Sequence, residues 1–290
     1  MKTWFILALL TALFASLKDV FSKAALKNSG TCLIAWFWSI GTLPFLLPFL
    51  LFIEVPPLNR TFWLALAGGG ILHVAATILY IRALRSSDLS LTVPMITFTP
   101  LFLLLTSPVM TGEFPAPLTI AGIILIVVGA YLVNIHDFKK GFAAPFRALI
   151  REPGPRMMLG VAAIWSITAN IDKIGITCTS PVFWLIAIES VVAAAMFPFV
   201  RFTTPAAEKI LTLDQLKRLL PVGLCAALVL LCQMFAIRDV QVPYVIAIKR
   251  SSVLFSVLFG YLLFGEKQIR QRSMAAACMC AGVVVIALFS

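Results

Sequence analysis

Two stretches of this chain match each other at a constant offset. Ala83-Leu84-Arg85, Gly112-Glu113 and Gly129 return as Ala236-Ile237-Arg238, Gly265-Glu266 and Gly282, each 153 positions later and with no gap between them. Upstream, Ser16 and Lys23 match Ser166 and Lys173 at an offset of 150. A chain made of two copies of one unit has few ways to fold, because whatever surface one copy leaves open the other must cover.

The unit is too apolar for water. Hydrophobic residues make up 61% of the chain and charged ones 12%, against about 45–50% and about 25% in soluble domains. The excess must face lipid. Gly and Pro recur inside the apolar runs, which membrane helices tolerate better than soluble ones. Of the six cysteines, Cys278 and Cys280 are two apart and point to different sides of a helix. No spacing suggests metal or redox chemistry, and all six read as small packing or lipid-facing residues. The net charge of +11 sits mostly in short segments between apolar runs. There it marks topology and meets phospholipid headgroups, and it argues against a nucleic-acid partner. Met1–Ser16 superficially matches a signal peptide, but Phe14–Lys23 has its counterpart at Ile164–Lys173. It reads as a retained first helix.

Runs of about 20 residues, long enough to span, fall near 3–22, 31–53, 61–82, 91–111 and 116–136, then 157–176, 180–202, 218–238, 243–264 and 271–289. The expected fold is an all-α polytopic membrane protein of ten transmembrane helices. Its units are a first repeat over 1–137, a basic connector over 138–156 and a second repeat over 157–290. An odd number of spans per copy forces the copies into opposite orientations, so the two five-helix repeats are inverted. Pro44 and Pro48 in the second span, and Pro94, Pro100 and Pro108 in the fourth, each remove a backbone bond and favour a kink. Gly68-Gly69-Gly70 allows close helix approach or local unwinding.

An ionised side chain at the bilayer centre costs about 2.5–3.5 kcal/mol on insertion scales, so each one inside a span is a functional candidate. Lys249 and Arg250 are the strongest, with Ser252 and Ser256 on the same stripe. Their counterparts in the first copy are Ile96 and Thr97, so repeat packing alone does not demand the two cations. Glu189 near the middle of the seventh span reads either as a charge-balancing partner for Lys249, Arg250 or Lys173, or as a proton-coupling carboxylate. Ser166, Asn170 and Lys173 form one stripe, and Ser16, Asp19 and Lys23 a related one in which Asp19 and Lys23 can neutralise each other. His73, Thr77 and Tyr80 share a face of the third span. The candidate substrate-binding residues are therefore Lys249, Arg250, Lys173, Asn170, His73 and Tyr80. Gln233 is isolated, Glu113 and Glu266 read as caps or loop contacts, and Trp36, Trp38, Trp63 and Trp184 read first as interfacial anchors.

Pro94 and Pro100 followed by a Leu-rich run, Gly112-Glu113, Gly122 and Gly129, together with Ser256, Gly265-Glu266 and Gly282, resemble the helix 4–5 and helix 9–10 motifs of EamA-like transporters in the drug/metabolite transporter superfamily. The resemblance covers nearly the whole chain. It implies transport of small organic solutes across the cytoplasmic (inner) membrane. Ile248-Lys249-Arg250-Ser251-Ser252-Val253 is similar to the Lys-Arg motif of the related sugar-phosphate and nucleotide-sugar translocators, where the pair meets an anionic group.

The expected function is that of a secondary transporter, moving an anionic or zwitterionic metabolite by alternating access. The alternatives are a lipid flippase or a non-transporting helper subunit. An enzyme would need a nucleophile–base pair or a metal cluster, which two separated histidines and scattered cysteines do not supply. Nothing resembles a nucleotide-binding loop. The expected partners are a small-molecule substrate, the lipid bilayer and a proton or counter-solute, with no cofactor, no metal and no nucleic acid, for a chain acting as a monomer.

Of 23 Lys and Arg, sixteen fall in loops on one side, and only Lys2, Arg60 and Arg238 on the other. Lys18, Lys173, Lys249 and Arg250 lie within spans. By the positive-inside rule the sixteen face the cytoplasm and both termini face outward. A C-terminal alkaline phosphatase fusion is therefore expected to be active and a green fluorescent fusion dark. The opposite pattern would reverse the orientation.

Overall fold

The structure, a computed structural model, describes residues 3–25, 31–54, 56–86, 93–134, 152–203, 213–252, 254–255, 259 and 269–289. Ser256, Gly265-Glu266, the side chain of Lys23 and most of the expected connector lie outside the described residues. The described chain is helical: α1 (Thr3–Ala25), α2 (Thr31–Ile40), α3 (Arg60–Ser86), α4 (Thr99–Met110) and α5 (Pro117–Asn134), then α6 (Pro153–Cys178), α7 (Pro181–Thr203), α8 (Leu213–Asp239), α9 (Val242–Arg250) and α10 (Ile269–Phe289). Among the described residues, six helical stretches, the broken one over Cys32–Leu51 included, are long and apolar enough to cross a membrane. Met95–Met110, Pro117–Gly129 and Ala277–Phe289 are shorter apolar helices.

Local chemistry sets where these helices start and stop. The Asn59 side-chain oxygen accepts the Phe62 N–H at 2.8 Å, capping the open first turn of α3, and Ser180 Oγ does the same for Phe183 at 3.2 Å in α7. Helix α6 begins at Pro153, four residues before the expected span, with Pro in the first turn where no N–H is needed. The proline-rich spans break more sharply than a kink. After Ile40 the second span turns at Gly41-Thr42 and continues through a short helical turn (Leu43–Leu46) and a 3₁₀ segment (Leu47–Leu51). The fourth opens as a 3₁₀ segment (Val93–Phe98) before α4. Between α4 and α5 the chain reverses at Gly112, whose φ of 69° a side chain would strain.

The two copies are wound around each other. Helix α1 packs along α8, and its counterpart α6 packs along α3. Helix α6 also meets α4 as α1 meets α9, and α7 meets α3 as α8 meets α2, while α5 packs on α10 and α2 on α7. Each of these pairings has its exchange partner, as a pseudo-two-fold axis requires. The α3–α6 and α5–α10 pairs run antiparallel. Along α3 and α6, Leu79 lies against Gly160 and Gly69 against Ile171. Along α5 and α10, Gly122 lies against Ile286 and Ile126 against Gly282.

The last crossing depends on absent side chains. A Cβ on Gly122 would sit 2.9 Å from the Gly282 carbonyl, and one on Gly282 would sit 2.5 Å from the Gly122 carbonyl. Gly69 and Gly70 face Ile171, Ile188 and Val191 closely, so close approach is their role, whereas Gly68 faces nothing within 4 Å. Gly282→Val should force the helices apart at a cost of about 1–3 kcal/mol. We expect a lowered unfolding temperature in detergent for Gly282→Val and none for Gly68→Ala. Equal stability of the two variants would contradict this crossing.

Candidate functional site

Where the intertwined helices meet, charged side chains from several spans come together. Lys249 and Arg250 occupy the last turn of α9, where the negative end of the helix dipole favours cations. Lys249 Nζ donates to Gln233 Oε1 on α8 at 2.6 Å. Arg250 Nη2 donates to Thr99 Oγ1 at the start of α4 at 2.9 Å. The same guanidinium lies 5.9 Å from the centre of the Trp165 ring. Its Nε is buried and meets no acceptor among the described residues.

A run of aromatic rings leads from Arg250 to a third cation. Trp165 on α6 stacks on Tyr80 of α3, with centroids 5.9 Å apart and planes 22° apart. Tyr80 leans on Trp38 of α2 at 6.3 Å. Lys18 Nζ of α1 sits 3.8 Å above Trp38, whose ring N–H donates to Ser22 Oγ at 3.2 Å. A cation therefore stands at each end of a run of three aromatic rings. Each cation–π contact is worth about 0.5–2 kcal/mol, more where water is excluded.

Carboxylates oppose these cations. Asp19, next to Lys18, is exposed and lies within electrostatic reach of Lys249 and Arg250. Asp172 of α6 is buried, accepts the Trp184 ring N–H at 2.9 Å and faces His73 Nε2 of α3 at 3.8 Å. Glu189 of α7 is buried, bonded to Ser39 and within reach of His73, Asp172 and Lys18. Three basic side chains (Lys18, Lys249 and Arg250) thus meet three carboxylates (Asp19, Asp172 and Glu189), with the His73 imidazole beside them.

Of the residues expected from sequence, the structure gathers Lys249, Arg250, His73, Tyr80 and Glu189 into this neighbourhood. It does not gather Asn170 or Lys173. Asn170 is fully enclosed, where its amide donates to Thr106 Oγ1 at 3.0 Å and to the Ser166 carbonyl at 2.9 Å, and accepts from Ser107 Oγ at 2.8 Å. That ties α4 to α6 and leaves no free donor to offer. Lys173 is held at the end of its helix. Its Nζ donates to the carbonyls of Ile237, Arg238 and Val240, and pairs with Glu113 Oε1 at 3.3 Å. Glu113 Oε2 in turn accepts the Val242 N–H at 2.8 Å, the capping role expected of it. Tyr244 closes the same joint, its hydroxyl accepting from Ala116 N and lying 3.0 Å from Thr119 Oγ1.

Other readings change too. Gln233 is not isolated, since it holds Lys249. Trp184 is fully buried on Asp172, and Trp38 carries Lys18, so neither is an interfacial anchor. Trp36 donates into the structure, to the Ala193 carbonyl at 2.9 Å, while Trp63 remains exposed. Asp172 and Trp165 were missed, and the signal for Asp172 was available. It is an acid inside a span, hidden only by its neighbour Lys173. Among the described residues, neither Lys249 nor Arg250 lies at ion-pair distance from Glu189.

The profile of the EamA-like transporter family matches residues 2–135 and again 153–288. The chain belongs to the EamA-like transporter family. Both copies of the EamA unit are thus present, and the protein is a multi-pass membrane protein. A search of curated proteins gives no match. Among solved structures, one crystal structure described only as that of a protein has a TM-score of 0.81 at 16% sequence identity. The alignment covers 98% of this chain and 96% of that one. At that identity the likeness is one of fold.

The Lys173–Glu113 pair joins the two EamA units where α4 gives way to α5 and α8 to α9. Breaking a partly buried, hydrogen-bonded pair leaves one charge uncompensated. We expect Lys173→Met and Glu113→Gln each to lower thermal stability, with a coupling of about 0.5–3 kcal/mol in the double-variant cycle. Strict additivity would show that the two side chains act independently.

Proposed function

We propose that this EamA-family protein is a secondary transporter of a small anionic or zwitterionic metabolite in the cytoplasmic membrane. In this reading ten spans form two inverted repeats, and a single chain alternates access to a site between them. The antiparallel exchange of helices between the copies supports that arrangement, because it lets the halves rock about one shared centre.

The observation that carries the reading is the state of Arg250. Among the described residues it holds one hydroxyl acceptor, faces an aromatic ring and keeps a buried Nε–H that meets no acceptor. An unsatisfied buried donor costs about 1–3 kcal/mol, and more when charged. A carboxylate or phosphate oxygen entering beside Arg250 and Lys249 would remove that cost and give a planar, two-pronged contact. Asp19, exposed and within electrostatic reach of Lys249 and Arg250, can receive an ammonium group, which is why a zwitterion fits as well as an anion. Tyr80 and Trp165 supply the apolar wall.

Counterflow in proteoliposomes, run with a panel of amino acids, organic acids and sugar phosphates, tests the proposal. We expect at least one anionic or zwitterionic solute to exchange. We expect Arg250→Lys to weaken its apparent affinity about tenfold or more, because an ammonium cannot reproduce the fork, and Lys249→Met to weaken it similarly in a folded protein. Exchange of cationic solutes alone, or unchanged affinity in a stable Arg250→Lys protein, would overturn the assignment.

A further inference from the structure

We propose that His73, Asp172 and Glu189 together form a proton-binding site that couples this carrier to the proton gradient. The inference rests on the transporter reading above, and names the coupling ion and the residues that hold it.

The three side chains come from different helices of both repeats: His73 from α3, Asp172 from α6 and Glu189 from α7. Both carboxylates are buried, Asp172 at 3% and Glu189 at 8% exposure. The contacts that fix them are made by neutral groups. Trp184 Nε1–H donates to Asp172 Oδ1, and Ser39 bonds to Glu189. Among the described residues, no Lys or Arg comes within ion-pair distance of either carboxylate. The base at that distance is an imidazole, His73 Nε2, 3.8 Å from Asp172 Oδ1. A permanent cation would lock both carboxylates in the charged state. An imidazole beside them leaves a proton free to come and go, because histidine changes charge within the physiological range.

The surroundings make that proton consequential. His73 faces Asp172 of α6, Glu189 of α7 and Lys249 of α9. Glu189 faces His73, Asp172 and Lys18 of α1, and from α2 the non-ionising Ser39. Beyond them, Lys249 is within reach of Arg250, Lys18 and Asp19. With all three carboxylates ionised, Lys18, Lys249 and Arg250 charged and His73 neutral, the set is balanced. One added proton makes the cluster net positive, and an anionic group at Lys249 and Arg250 restores balance. Proton and anion therefore favour each other's binding, and by linkage the effect is equal in both directions. The proton also sits across the packed faces of α3 with α6 and α7, so its presence changes the attraction between the repeats that must move.

A purely structural reading is available for Asp172, since Trp184 packs against Gly175 and needs its ring N–H satisfied. That role would affect stability alone and leave the proton on His73 untouched. The chain has two histidines, so His136→Gln leaves His73 as the sole imidazole. We would record the ¹⁵N spectrum of histidine-labelled protein in nanodiscs between about pH 5 and 9, with Asp172→Asn and Glu189→Gln in the same background. The proposal expects His73 to change protonation in this range, and its midpoint to move by about one pH unit or more in Asp172→Asn. A smaller movement is expected in Glu189→Gln. An imidazole spectrum constant across the range, or indifferent to both substitutions, would overturn it. In proteoliposomes carrying an internal pH dye, an exchanged solute should drive a proton flux that both substitutions abolish. Solute exchange without proton flux would also overturn the site while leaving the transporter standing. Coupled titration of His73 with no panel solute moving would instead support the site and remove the transport reading beneath it.

Discussion

Everything in this protein turns on how charge is kept inside an apolar medium. Opposite charges attract far more strongly there than in water, and a lone charge is costly for the same reason. The described structure answers with a closed local balance, in which Lys18, Lys249 and Arg250 are set against Asp19, Asp172 and Glu189, with aromatic rings between them. Few of these groups pair directly. Lys249 is held by Gln233 and Arg250 by Thr99, so the cations are anchored by neutral partners and their field stays available. A set of tight ion pairs would be quieter but would have nothing to offer a solute.

The repeat explains where this cluster sits. Because α1 packs on α8 and α6 on α3, the polar stripe of each copy's first helix is turned toward the other copy. Lys18 and Asp19 arrive from one repeat, and Trp165 and Asp172 arrive from the matching helix of the other. Divergence between the copies then gives the site its direction. Ile96 and Thr97 stand where the second copy has Lys249 and Arg250, so the cations come from one side of the pseudo-symmetry axis alone.

Much of this fold was legible in the sequence because membrane helices announce themselves by length and apolarity. The spans expected at 61–82 and 180–202 appear as α3 and α7 within a few residues. Where backbone chemistry competes with apolarity, the sequence was less explicit. Pro44, Pro48 and Pro94 were expected to kink helices but instead sit in broken and 3₁₀ segments. The site was half legible. Lys249, Arg250 and Glu189 stand out because a charge inside a span is conspicuous. Lys173 stands out for the same reason and Asn170 as a polar group on its stripe, but both are consumed by local partners, which no one-dimensional pattern distinguishes. Trp38 and Trp184 were unreadable as site residues, since a tryptophan toward a span end looks alike whether it faces headgroups, a cation or a buried carboxylate, and mid-span Trp165 looks like any packing aromatic.

The central claim is that the charges of this cluster compensate one another as a set, and paired neutralisation measures that most directly. Unfolding temperatures of Lys18→Gln, Asp19→Asn and the double variant, taken in lipid nanodiscs, give the coupling without any knowledge of the solute. Compensation predicts that each single change destabilises the protein, and that the double variant recovers most of the loss. Additive losses, with the double variant the least stable of the three, would contradict the account.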